Sequence, residues 1–111
     1  MILIKPSKVP VGGIYTEITA ASELNFPKFQ SKETETFVGL EFKDFEGIFK
    51  VTAENFVAIA KYLGTWDFRN WVGSSIRIYQ ETKLIGENNI LMLRVGEVLK
   101  RKKVGKISSK P

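Results

Sequence analysis

Residues 48–64 read IFKVTAENFVAIAKYLG, and along that run the spacing of apolar residues changes from two to between three and four. Ile48 to Val51 alternates, with Phe49 and Val51 on one buried face, as a short strand does. Thr52 follows at the N-cap position of a helix, where its hydroxyl can accept a hydrogen bond from a first-turn amide. Glu54 sits where the helix dipole favours negative charge. Phe56, Ile59, Ala60 and Leu63 then form one apolar stripe along a helix over 53–63. Gly64 is placed to end that helix in a left-handed conformation.

Working upstream, Val11 to Ala20 has period two. Ile14, Thr16, Ile18 and Ala20 share one face and Tyr15, Glu17 and Thr19 the other. Gly12-Gly13 at its start permits a bulge or a close backbone approach. Ser22 to Thr34 is polar, carries Asn25, Pro27 and Ser31, and is expected to be a loop. A second strand is expected over 35–43, with Val38, Leu40 and Phe42 inward and Phe37, Glu41 and Lys43 outward. Asp44 to Gly47 then connects a hairpin. Downstream, Thr65 to Gly73 is a loop rich in aromatics, and Trp71 is expected to pack against the helix. A fourth strand over 75–80 places Ile76 and Ile78 inward and Arg77 and Tyr79 outward. Gly86 to Asn89 marks a turn, and a fifth strand runs over 90–98, with Arg94 outward.

Three strands, one helix and two strands are the order of the OB-fold, a five-stranded Greek-key barrel with its helix between strands 3 and 4. Barrel closure removes the exposed edges that a flat sheet would keep. An SH3-like barrel or an α+β roll is the alternative. The expected organisation is a mainly β barrel domain over 1–98 and a flexible basic tail over 99–111.

The chain of 111 residues has neither cysteine nor histidine. Disulfides, thiol catalysis, zinc–thiolate sites and every nucleophile activated by histidine are therefore excluded. No apolar run approaches the ~20 residues that span a bilayer, and the first residues do not form a signal-peptide core. A cytoplasmic, non-membrane protein is expected. Of 17 basic and 12 acidic residues, six basic residues and only Glu97 among the acids lie in 97–111. The first 96 positions are balanced, so the whole excess of +5 belongs to the C-terminal segment. Such a run attracts polyanions by counterion release or serves as a solvated tail.

The run Thr52-Ala53-Glu54-Asn55-Phe56, with Ile59-Ala60 and Leu63-Gly64, is followed by Asn70-Trp71-Val72-Gly73, Ile76-Arg77-Ile78-Tyr79 and Leu93-Arg94-Val95. This pattern resembles small OB-like single-stranded DNA-binding proteins of tailed bacteriophages, over less than half of the chain. Ser74 stands where that family commonly carries a basic residue. The resemblance implies an OB barrel, a non-catalytic role in phage DNA replication or recombination, and residence in a host cytoplasm.

Binding a single strand needs cations along a groove and aromatic faces for bases. OB-folds offer strands two and three and the loops joining strands 1–2 and 4–5. The candidate DNA-binding residues are accordingly Phe26, Lys28, Phe29 and Lys32 in the first loop, then Phe37 and Lys43 on strand two. Arg77, Tyr79, Lys83 and Arg94 follow on strands four and five, with Lys100, Arg101, Lys102 and Lys103 in the tail. Phe26 and Phe29 can also fold back onto the barrel, Phe37 can meet a second subunit, and Arg77 can pair with a glutamate across strands. The expected partners are single-stranded DNA, further copies of the chain, and replication or recombination proteins of phage or host. No cofactor and no metal is expected. A protein-interaction or inhibitor module on the same barrel is the alternative function. A carboxylate-dependent nuclease ranks third, because histidine is missing and Glu33, Glu35, Glu41, Asp44 and Glu46 form no strong constellation.

Overall fold

The computed structural model describes residues 2–28 and 32–99. It is mainly β, with one sheet of five antiparallel strands and one α-helix. The strands are β1 (Ile14–Pro27), β2 (Thr34–Phe42), β3 (Phe45–Val51), β4 (Ser75–Ile85) and β5 (Asn88–Leu99). The helix α1 (Ala53–Leu63) joins β3 to β4, and short 3-10 turns lie at Pro6–Lys8 and Phe68–Trp71. The sheet order is β3-β2-β1-β4-β5.

Alternation builds the core. Ile18, Val38, Leu40, Phe42, Phe49, Val51, Ile76, Ile78, Leu93 and Val95 are all buried on the inner face. Burying such a side chain is worth roughly 1.5–3 kcal/mol, so this face outweighs any local propensity. The helix stripe completes it: Ile59 and Ala60 are buried, while Phe56 and Leu63 pack beside them. Gly64 ends α1 with a φ of 72°, as its position predicts. Trp71 is fully buried, with its ring 4.9 Å from that of Phe56. Its Nε1 donates to the Thr65 carbonyl at 3.0 Å, which satisfies the indole's one polar group. Asn55 is buried too, and its Nδ2 donates to the Leu93 carbonyl at 3.2 Å, tying α1 to β5.

The sheet does not close. The β3 edge is met by the N-terminal segment, where Leu3 forms a parallel bridge with Ile48. Ile4 N–H donates to Ile48 O at 3.0 Å and Ile48 N–H to Ile2 O at 2.8 Å. A cavity of about 250 Å³ lies between this edge and β5, lined by Leu3, Ile48, Phe49, Leu91 and Leu93 among others.

Several expected boundaries move. The segment expected to be a loop from Ser22 is strand as far as Pro27, paired with β2 from Ala20↔Glu41 to Pro27↔Thr34. A register shift between Ile18 and Ala20 is the reason. Before it, Thr16 and Ile18 face the core. After it, Ala21 faces the core opposite Leu40, and Ala20, Leu24 and Phe26 pass to the outer face. The turn between β2 and β3 is Lys43-Asp44 rather than Asp44 to Gly47, because Phe42 pairs with Phe45. The Thr16 hydroxyl holds this turn, donating to Asp44 Oδ2 at 2.9 Å. Thr52 occupies the N-cap position, but its side chain makes no capping hydrogen bond. β4 and β5 are both longer than expected, meeting at a two-residue turn, Gly86-Glu87. The tail expected over 99–111 lies outside the described residues beyond Leu99, the last residue of β5.

Candidate nucleic-acid interface

The outer face of β1, β2 and β3 carries an aromatic–cation cluster. Ladder pairing sets Leu24 opposite Phe37 and Gly39 opposite Lys50, so these side chains share one face. Phe37 is half-buried and meets Phe26 edge to face, with centroids 6.1 Å apart. Lys50 Nζ lies 4.3 Å from the Phe37 centroid and 5.6 Å from that of Phe26. An ammonium at that distance is held by the ring's negative face. Gly39 makes the arrangement possible: a Cβ there would stand 2.7 Å from Leu24 Cδ1 and 2.8 Å from Ile48 Cγ2. Those two side chains therefore close over β2 beside Phe37.

Phe26 does not sit on a loop. It is only 2% exposed, packed under Phe37, and presents no free face to a base. Lys28 follows β1 and pairs with Glu33 at 3.4 Å, and Lys32 is exposed. Lys43 is exposed in the β2–β3 turn, off the strand face where alternation put it. Phe29, Lys100, Arg101, Lys102 and Lys103 lie outside the described residues.

A second patch lies on β1, β4 and β5. Arg77 sits 4.6 Å from the Tyr79 centroid, and Tyr79 stands opposite Arg94 in the β4–β5 ladder. Both arginines are engaged. Arg77 grips Glu97 with Nε at 2.9 Å and Nη2 at 3.3 Å, and the Tyr15 hydroxyl donates to the same carboxylate at 2.7 Å. These contacts, Arg77 first, push the Glu97 carboxyl down to about 2, and the Glu97 hydrogen bond raises the Tyr15 phenol. Arg94 binds Glu81 at 2.9 Å and Glu54 at 2.8 Å, which holds its guanidinium above its ordinary value. Lys83 is exposed farther along β4 and makes no ion pair among the described residues.

The structure thus brings Phe37 and Phe26 together, and Arg77, Tyr79 and Arg94 together. Lys50 was missed by the sequence reading. Only the register shows that it stands across from Gly39, free to lie over Phe37. Among the described residues Lys50 makes no ion pair. Also among them, no group of three or more His, Cys, Asp or Glu is placed to hold a metal, and no helix is long and apolar enough to cross a membrane. Comparison with protein-family models, curated proteins and solved structures finds no match to this chain.

Proposed function

We propose that this chain is a non-catalytic, largely sequence-independent single-stranded DNA-binding protein on an OB-like barrel, acting in phage DNA replication or recombination. The observation that carries the reading is the Lys50 ammonium, without an ion pair among the described residues, over the half-buried Phe37 ring on the outer face of β2 and β3. A base stacking on Phe37 brings its phosphate within reach of a cation that no described carboxylate neutralises. The sheet order supports the barrel reading, because β3-β2-β1-β4-β5 with the helix after β3 is the OB order opened between the third and fifth strands. OB barrels are partly open, and their strands two and three are the usual ligand face.

Fluorescence anisotropy of labelled oligo-dT, titrated with protein at several salt concentrations, tests this. Binding should weaken steeply with salt. Phe37→Ala should lose roughly 1–3 kcal/mol, the range for one stacked base. Lys50→Met should lower the slope of log K against log salt by about 0.7. Absence of salt-dependent binding would sink the proposal and favour the second reading, a protein-interaction or inhibitor module. That reading draws on the cavity of about 380 Å³ beside Phe37, lined by Val38, Val51, Phe56 and Val57.

A further inference from the structure

β4 and β5 run past the rest of the sheet as a two-stranded arm. Every residue from Glu81 to Leu91 is exposed, while the ladder continues from Thr82↔Leu91 to Ile85↔Asn88. The molecule is correspondingly long, 55 Å against 29 and 23 Å. A lone two-stranded ribbon is marginal in water. This one also exposes apolar residues on both faces: the pairing puts Ile85, Ile90 and Met92 on one face, beside Glu81 and Lys83, and Leu84 and Leu91 on the other. Leu84 is 65% exposed and Ile85 49%.

The two sheet edges are treated differently. The β3 edge carries Glu46 and Lys50 and is covered by Leu3. The β5 edge over 88–93 reads NNILML, with no charge and no proline, the devices that normally protect an edge. Its free backbone groups can be located. The Leu93 carbonyl accepts from Asn55 on α1, so Leu93 points its backbone away from β4. By alternation Asn89 and Leu91 point the same way, and among the described residues neither has a partner on that side.

We propose that this edge is closed by a second copy of the chain, β5 against β5, antiparallel about a two-fold axis through Ile90. That axis sets Asn89 opposite Leu91 of the partner subunit twice over, giving four backbone hydrogen bonds and leaving Leu93 with Asn55. An axis through Leu91 would take the Leu93 carbonyl from Asn55. An axis through Asn89 would set Leu91 against the Gly86-Glu87 turn. Ile90 then faces Ile90 of the partner subunit, and the exposed apolar residues of the two arms continue into each other. An uncharged edge selects an equally uncharged strand, and an isologous pairing supplies one from the same sequence. This inference stands independently of the DNA reading.

The chain has no cysteine, so single cysteines report the register. Directly opposed residues of a non-hydrogen-bonded pair have Cα atoms ~4.5 Å apart, within disulfide reach. Under mild oxidation Ile90→Cys should cross-link to twice the 12.6 kDa chain mass. Asn89→Cys, two positions out of register with its own copy, should cross-link at least ~tenfold more slowly. Light scattering of the unmodified protein should give two chains, and Ile90→Lys, which opposes two ammonium groups, should give one with an unchanged circular dichroism spectrum. A single-chain mass for the unmodified protein at every concentration overturns the proposal. So does an Asn89→Cys rate equal to that of Ile90→Cys, or an Ile90→Lys protein that stays dimeric.

Discussion

At the scale of single residues, the contrast between Lys50 and Arg77 organises the candidate interface. Both cations lie over aromatic rings, but Arg77 already has a bidentate carboxylate, and among the described residues Lys50 has none. A phosphate approaching Arg77 must displace Glu97, whereas one approaching Lys50 meets no paired carboxylate among the described residues. The Glu97 cluster has a pH signature. Its carboxyl is held down to about 2 by Arg77 and then Tyr15. A carboxyl depressed in the folded state stabilises above its unfolded value of ~4.3 and loses that contribution as pH falls toward the folded value. Tyr15 has the opposite sign: its phenol is raised, so its contribution is complete below pH ~10 and is lost above. A carboxyl-detected NMR titration should find the Glu97 midpoint about 2. In Arg77→Met that midpoint should rise toward the ordinary ~4.3. An unmoved midpoint would show that the guanidinium does not hold the carboxylate.

At the scale of elements, β1 explains both what sequence reading reached and what it missed. The change of period at Val51–Ala53, the αL glycine after α1, and the inward faces of β2 and β4 were all legible, because each rests on neighbours within a few positions. Trp71 was legible because a tryptophan in a short corner has little else to cover it. The second half of β1 was not. Thr16, Ile18, Leu24 and Phe26 keep one even-numbered phase in the sequence, yet the register shift after Ile18 puts the first pair inside and the second outside. A bulge leaves no compositional mark, so Ser22–Pro27 reads as polar coil when it is a strand with an apolar outer face. Lys50 was overlooked for the same reason, since its meaning depends on a partner strand. Gly39 tests the element directly. Gly39→Ala places a methyl against Leu24 and Ile48, which should destabilise the fold by about 1–3 kcal/mol as overpacking does. Urea unfolding with an unchanged m-value should show it, and an unaffected midpoint would mean that those side chains yield freely.

At the scale of the whole molecule, charge and shape divide the work. The first 96 residues are neutral overall, and most ion pairs among the described residues engage arginines. On the proposed DNA-binding reading, the general attraction for a polyanion is assigned to the basic residues after Glu97 and the local contacts to the sheet. Deleting 100–111 should leave the melting temperature within experimental error. The same deletion should flatten the salt dependence of oligo-dT binding by about 0.7 for each phosphate that those residues neutralise. An unchanged slope would assign all of the attraction to the sheet.

The division of β1 between two partners also has a consequence in time. Its second half, Ala20 to Pro27, pairs with β2 across a short connection, so a growing chain can zip it as soon as β2 is made. Its first half, Ile14 to Glu17, pairs with Ser75 to Ile78, which come only after the helix. Closing that longer loop costs more entropy and is slower. During synthesis one end of the strand is thus committed while the other waits for β4, and Trp71 and α1 are already at hand when it arrives. The sheet's two halves thus meet along a strand whose far end can pair first.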